Sequence, residues 1–341
     1  METGLHQLKI VSIRTETDHA KTFVLEPVDD WKPFYKPGQF LTLVFFTKFG
    51  EKRRSYSMSS SPALDEPLSI TVKKVDNGEF SRWLLYEAKE GMILHTSGIS
   101  GFFTLPEDLE ETDQLFFLAA GSGITPCYSI IKTLLATTNK QVVLIYSNHH
   151  ENDTIFFNEL QELQYTHQST FQLHFVQSQH GRRLSKWLLN ILLKEYLRTE
   201  KTNTLFYLCG PFEYMQMIQI SLLIEGIEND KIRKEIFTPL PPLNIPHPSD
   251  TTPHTVFIHL NGHHYKLTVQ YPKTILATAK EKNISIPYSC EAGICGTCAA
   301  TCLKGKVWML YNGVLMDKEI EEGRVLTCQG FPIGGDVELT F

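Results

Sequence analysis

The chain has 341 residues, 42% hydrophobic and 21% charged, with a formal net charge of −6. These proportions suit a soluble globular chain of two or three domains and exclude disorder, collagen or coiled coil as its main state. The acidic balance lacks the basic face of a nucleic-acid binder, and no apolar run reaches the roughly 18 residues of a membrane span. The first residues, METGLHQLKI, do not read as a secretory signal, so a cytoplasmic location is expected.

The segment to about residue 111 carries β-branched and aromatic runs: KIVSIRTET, TFVLEP, QFLTLVFF and LSITVKKV, split by Pro, Gly and Asp. Their close spacing predicts an antiparallel barrel or sandwich, with a helix near Phe80–Ala88. Strand alternation puts Arg54 and Tyr56 of RSYS on one face. An Arg can grip a phosphate, a Tyr ring can lie on an isoalloxazine, and Ser57 can hydrogen-bond the flavin edge. Gly78-Glu79-Phe80-Ser81 opens a helix, and a helix N-terminus suits a pyrophosphate. A flavin with a pyrophosphate is FAD. Alone, the RSYS alternation is a weak signal, since an exposed strand with alternating polar residues is the competing reading.

From 112 to 237 strand and helix patterns alternate, which predicts a parallel sheet wrapped by helices. The first strand ends in Gly121-Ser122-Gly123-Ile124-Thr125-Pro126, a glycine turn with Thr125 as the expected N-cap and Pro126 as the first helical residue. This is the general design of a dinucleotide phosphate site, although it is not G-x-G-x-x-G. Cys209-Gly210-Pro211 ends another strand and should face the same crevice. A buried structural thiol is the alternative for Cys209 and the better reading of Cys127. The histidines, His149 and His150 among them, read as surface or core residues.

Residues 238–254 hold six of the 17 prolines and are expected to form an extended linker. Residues 255–341 open on VFIHL-NG-HHYKLTV, a hairpin signal, followed by a helix at TILATAKEKN. Four of the seven cysteines then crowd into thirteen residues. The spacing Cys290-x4-Cys295-x2-Cys298, then 29 residues, then Cys328, is that of a plant-type [2Fe–2S] site. Gly293 and Gly296 would let backbone N–H groups approach bridging sulfides. A structural zinc site is the competing reading, weakened because the fourth cysteine stands alone. Cys302 has no place in either.

Taken together, RSYS, GSGITP, CGP and CEAGICGTCAA…GVLMDKEIEEGRVLTCQ resemble ferredoxin–NADP reductase-type flavoproteins with a plant-type ferredoxin fused at the C-terminus, the reductase component of phenylacetyl-CoA oxygenase among them. The resemblance implies a multi-domain chain: an antiparallel flavin β-barrel (1–111), an α/β parallel-sheet nucleotide domain (112–237), the linker and an α+β β-grasp ferredoxin domain. It implies FAD, a [2Fe–2S] cluster and NADPH or NADH, and a protein acceptor such as an oxygenase, hydroxylase or desaturase. By resemblance, Arg54, Tyr56, Ser57, Gly78, Phe80 and Ser81 hold the flavin. Gly121, Gly123, Thr125, Gly210 and Pro211 hold the nucleotide, with Ser57 and Cys209 on the hydride path. Glu235 and Phe237 lie where relatives close the flavin face. Relatives that take NADPH often place Ser-Arg after the third strand of this domain. Here Ser178-Gln179 stands there, with Arg182 and Arg183 close enough to substitute or simply to start a solvated helix. A redox sensor with a structural metal and a free-standing flavin or quinone reductase are the alternatives. The intact motifs oppose the first, and the fused ferredoxin segment opposes the second.

Overall fold

The computed structural model describes residues 5–181, 183–238 and 246–341, in two compact units, Met1–Glu235 and Ile236–Phe341. The first unit opens with β1 (His6–Thr17), β2 (Ala20–Pro27), β3 (Phe40–Thr47), β4 (Gly50–Ser57), β5 (Ser69–Lys73), α1 (Glu79–Tyr86) and β6 (Ile93–Ser100). The strands pair antiparallel in the order β4-β3-β6-β1-β2-β5. Past β4, the chain meets β5 through a Met58–Ile70 bridge and a Ser59 N–H to Ser69 carbonyl bond of 2.9 Å. The two edges therefore meet and the sheet closes as a barrel. Closure removes exposed sheet edges. It also buries Leu8, Ile10, Phe23, Leu41, Ile70 and Leu84 inside.

The second half of this unit is β7 (Gln114–Ala120), α2 (Ile124–Thr137), β8 (Gln141–Asn148), α3 (Phe157–Thr166), β9 (Phe171–Gln177), α4 (Lys186–Tyr196), β10 (Thr204–Cys209), α5 (Phe212–Ile224) and β11 (Ile232–Glu235). All five strands are parallel, in the order β11-β10-β7-β8-β9. The inner strands are continuous apolar runs because helices cover both faces. The chain leaves β7 toward β8 and β9, then returns to lay β10 on the other side of β7. The strand order thus reverses between β7 and β10, the place where open α/β sheets bind ligands.

Helix α2 starts at Ile124, with Gly123 as its N-cap and a 3-10 turn over Gly121–Gly123 before it. Thr125 is therefore inside the first turn rather than the cap expected from sequence, and Pro126 is not the first helical residue. The glycine turn winds directly into the helix, so the start moves toward the strand. Twelve of its residues are buried, polar ones included. Ser129 Oγ donates to the Ser60 carbonyl at 2.6 Å, Thr133 Oγ1 meets Ser61 Oγ at 2.7 Å, and Lys132 Nζ reaches Glu66 at 2.5 and 2.7 Å. These bonds fasten α2 to the loop that follows RSYS.

The second unit holds β12 (His254–Leu260), β13 (His263–Val269), α6 (Ile275–Glu281), β14 (Ala299–Lys304), β15 (Val307–Met309), α7 (Asp317–Glu321), β16 (Arg324–Leu326), β17 (Gly330–Pro332) and β18 (Val337–Thr340). Asn261 and Gly262 both take positive φ, as a tight hairpin turn requires. The main sheet runs β13-β12-β18-β14-β16, with β12 and β18 parallel at its centre. Thr274 caps α6 by accepting from Ala277 N–H at 3.1 Å. This is an α+β β-grasp arrangement. Of the proline-rich stretch, residues 239–245 lie outside the described residues.

Replacing Lys132 by Ala removes the cation from Glu66, which keeps the Ser61 N–H at 2.8 Å and is 31% exposed. The remaining water contact keeps the cost below that of a wholly buried pair, so the variant is expected to lose about 2–3 kcal/mol. Urea unfolding of the first unit checks this.

Candidate cofactor sites

In the first unit the two cofactor motifs converge at the carboxyl end of the parallel sheet. Gly123 lies so close to β10 that a Cβ there would stand 2.1 Å from the Cys209 carbonyl oxygen, so only glycine fits. This contact brings GSGITP against CGP. Gly121 turns with its carbonyl accepting from Tyr146 OH at 2.9 Å. Pro211 is the N-cap of α5, and Gly210 lies against Ala120 and Tyr214. Thr125 is 1% exposed and its hydroxyl has no hydrogen-bond partner among the described residues. The Asn148 side-chain N–H2, at the end of β8, is likewise buried and unpartnered. Orphaned buried donors at a strand-end crevice fit a polar ligand that would satisfy them.

Cys209 and Glu235 are register partners at the ends of β10 and β11. Ser57 Oγ donates to Glu235 Oε2 at 3.4 Å, which ties the end of RSYS to the end of the parallel sheet. Burial pushes the Glu235 carboxyl up to about 8, with the Ser57 hydroxyl opposing that rise. Glu235 is thus mostly a neutral acid at pH 7. Burial, reinforced by the Glu235 charge, also drives the Cys209 and Cys127 thiols well above their ordinary range. The titratable groups at these strand ends are therefore held protonated by burial.

On the barrel side, the Arg54 guanidinium sits 5.1 Å over the Phe80 ring, and Phe80 stacks on Phe45 at 4.3 Å. This column holds a cation beside the start of α1, whose N-cap is Gly78. Ser81 Oγ accepts from Val75 N–H at 3.1 Å and donates to the Gly78 carbonyl at 3.3 Å, so it shapes the turn. Tyr56 is half-buried, and burial raises its hydroxyl against the pull of Arg54. A cation, a helix start and a flat ring in a row fit a flavin with a pyrophosphate.

Sequence reasoning passed over Lys73. Its ammonium stands 3.4 Å from where a side chain on Gly121 would begin, and it has no partner among the described residues. No local signal marked it, because Lys73 and Gly121 lie 48 residues apart in sequence and meet only in the fold. Ser178 sits apart from this pocket in sequence, past β9, with its hydroxyl 2.8 Å from His149 Nδ1. Arg182 lies outside the described residues, and Phe237 belongs to the second unit, 45% exposed.

In the second unit the four cysteines come as two pairs. A hydrogen bond from Cys295 lowers Cys290 to about 6 and raises Cys295, and the same exchange lowers Cys298 and raises Cys328. Among the described residues no three His, Cys, Asp or Glu side chains gather as one metal centre. Cys290 also acts on Cys298 and Cys328, so the four thiols lie close enough to influence one another and, at the C-x4-C-x2-C…C spacing, suit a plant-type two-iron cluster. Backbone N–H groups of Ala292, Ile294 and Cys295 point at the Cys290 sulfur. Gly293 turns at φ 74° against the Tyr311 carbonyl, where a Cβ would stand 2.8 Å away. Cys302 lies elsewhere, its thiol 3.4 Å from the Lys304 carbonyl.

Comparison with known proteins agrees with both halves. An oxidoreductase NAD-binding domain matches residues 117–220, and a 2Fe-2S iron-sulfur cluster binding domain matches 258–332. The ferredoxin reductase component of 3-ketosteroid-9-alpha-monooxygenase from Mycolicibacterium smegmatis is 35% identical over 350 residues, 98% of this chain and 96% of that one. The chain belongs to the family of ferredoxin reductase components of oxygenases. One component of the 1,2-phenylacetyl-CoA epoxidase from Escherichia coli is 30% identical across 99% of this chain and 98% of its own. Phthalate dioxygenase reductase shares the fold, with a TM-score of 0.63 at 22% identity, covering 100% of this chain and 99% of that one. A ferredoxin NADP+ reductase from Neisseria gonorrhoeae, solved with FAD and NADP, covers 70% of this chain and 100% of its own at 26% identity and a TM-score of 0.60. As a member, the chain is an NAD(P)H-dependent oxidoreductase with FAD and a [2Fe–2S] cluster, passing electrons to an oxygenase-type partner. No helix among the described residues is long and apolar enough to cross a membrane.

The Glu235 carboxyl binds a proton in the native protein that the unfolded chain gives up above its ordinary value of 4.5. Stability should therefore fall as pH rises from 4.5 toward 8 and level off beyond. Glu235→Gln is expected to flatten that fall. Melting temperatures of both proteins at pH 5 and pH 8.5 check it, and equal losses in the two would contradict the assignment.

Proposed function

We propose that the crevice between β7 and β10 seats NAD(P)H against the flavin, and that Cys290, Cys295, Cys298 and Cys328 hold the cluster through which electrons leave. The close approach of Gly123 to the Cys209 carbonyl carries this reading, because it sets both nucleotide motifs beside the Ser57–Glu235 bond. When bound, FAD accepts the two electrons of a hydride and gives them up singly, which suits a one-electron cluster.

The chain's own residues bind, orient and hold protons. Arg54, steadied on Phe80, and the N-terminus of α1 at Gly78 take the flavin pyrophosphate. Tyr56 supplies a flat neutral ring, and Ser57 fixes the flavin edge while its own proton goes to Glu235 Oε2. Thr125, the turn at Gly121 and the Lys73 ammonium meet the phosphates of the nucleotide, with Gly210 and Pro211 leaving room at the end of β10. Cys209 keeps a neutral thiol at the sheet end, where a thiolate would repel an incoming hydride. Ser178, and Arg182 beyond it, are assigned to the adenosine end. The reading includes a cytoplasmic location, supported by seven free cysteines, four of them set as metal ligands.

The test separates the two units' chemistry. Cys298→Ser should keep NAD(P)H bleaching of the flavin but lose reduction of cytochrome c, a one-electron protein acceptor. Cys302→Ser should leave both unchanged. Cytochrome c reduction at the normal rate in Cys298→Ser would overturn the proposed route.

A further inference from the structure

The residue after the first cluster cysteine takes a backbone conformation that its type seldom adopts. Glu291 has φ 56°, in the left-handed region, where a Cβ crowds the backbone and glycine is the usual choice. Such a residue persists only where its surroundings hold it. Two groups do so here. Lys280 Nζ, in the last turn of α6, donates to Glu291 Oε1 at 2.9 Å. Gln329, next to Cys328, donates its side-chain N–H to the Glu291 carbonyl at 3.1 Å. The Lys280 ammonium also stands 4.4 Å over the ring of Tyr288, on the other side of Cys290 in the chain, so its own place is fixed.

The turn has a chemical consequence. It brings the Ala292 N–H to 3.4 Å from Cys290 Sγ. Of the four cysteines, Cys290 alone is only partly buried, so a protein donor there competes with water. A reduced cluster carries one more negative charge than an oxidised one. An N–H on a ligand sulfur and a cation beside it both favour that state. The Lys280 and Glu291 side chains are 40% and 50% exposed, and an ion pair so open to water adds little to stability. Its effect lies in where it puts the backbone and the charge.

We propose that Lys280 is a positioning residue for the cluster. It pins Glu291 in the left-handed turn, keeps the Ala292 N–H on the Cys290 sulfur, and so raises the potential at which the cluster takes an electron from the flavin. This inference rests on the four cysteines being the cluster ligands.

The test is an anaerobic redox titration of the holoprotein, with the cluster followed by EPR and the flavin by absorbance. In Lys280→Ala, electron transfer from flavin to cluster should become about tenfold less favourable, a fall of about 59 mV in the cluster midpoint for one electron. The flavin midpoint should not move. Lys280→Arg, which keeps a cation and a donor, should stay close to wild type. Glycine takes the left-handed turn unaided. In a Glu291→Gly background, Lys280→Ala should therefore move the midpoint by no more than about a third as much. If Lys280→Ala alone loses its cluster, recovery of the cluster in Glu291→Gly with Lys280→Ala supports the proposal, and continued loss contradicts it. An unmoved midpoint in Lys280→Ala, or an equal shift in both backgrounds, would overturn the proposal. A reduced wild-type holoprotein with no [2Fe–2S] EPR signal would fall instead on the reading of the four cysteines.

Discussion

Everything in the first unit depends on how α2 is buried. A helix beside a parallel sheet ordinarily shows one face to water, but this one is covered all round. Its far side carries Ser129, Lys132 and Thr133, which pair with Ser60, Glu66 and Ser61 of the loop after RSYS. Such a polar seam costs desolvation and returns specificity, because each donor has one acceptor and one register. With α2 pinned there, the glycine turn before it stands against Lys73 at the end of β5. The loop after RSYS is thereby held against the helix that follows GSG.

From this constraint the chemistry follows. Gly123 can approach Cys209 because neither strand end carries an obstructing side chain. Glu235, in register with Cys209, then lies close enough to accept from Ser57. The result is a buried strand-end site whose titratable groups are kept neutral by burial. Charge is left to the periphery, where Arg54 and Lys73 face positions suited to phosphates. An electron-transfer protein needs little bond chemistry from its side chains. It needs two ring systems and a cluster held in place without competing charges.

Much of this was legible in the sequence, for identifiable reasons. Strand–helix alternation and the Asn261-Gly262 turn are local signals, and the structure follows them. The cysteine spacing is a ligand pattern, and the nearness of the four thiols in the structure suits it. Other features were not local. The helix start moved from Pro126 to Ile124, and its cap from Thr125 to Gly123, because the glycine turn winds straight into α2, which propensity alone does not report. Lys73 looked like an ordinary strand residue until the fold set it against Gly121. The link between His149 and Ser178 spans 29 residues and depends on β8 and β9 being neighbours.

The central claim is that both units act as one electron path fed by a pyridine nucleotide. An anaerobic absorbance titration of the purified holoprotein with NADPH, and separately with NADH, tests it most directly. The flavin and [2Fe–2S] bands should bleach together, consuming about three electrons per chain, two for the flavin and one for the cluster. A colourless protein that holds metal and does not respond to either nucleotide would contradict the account.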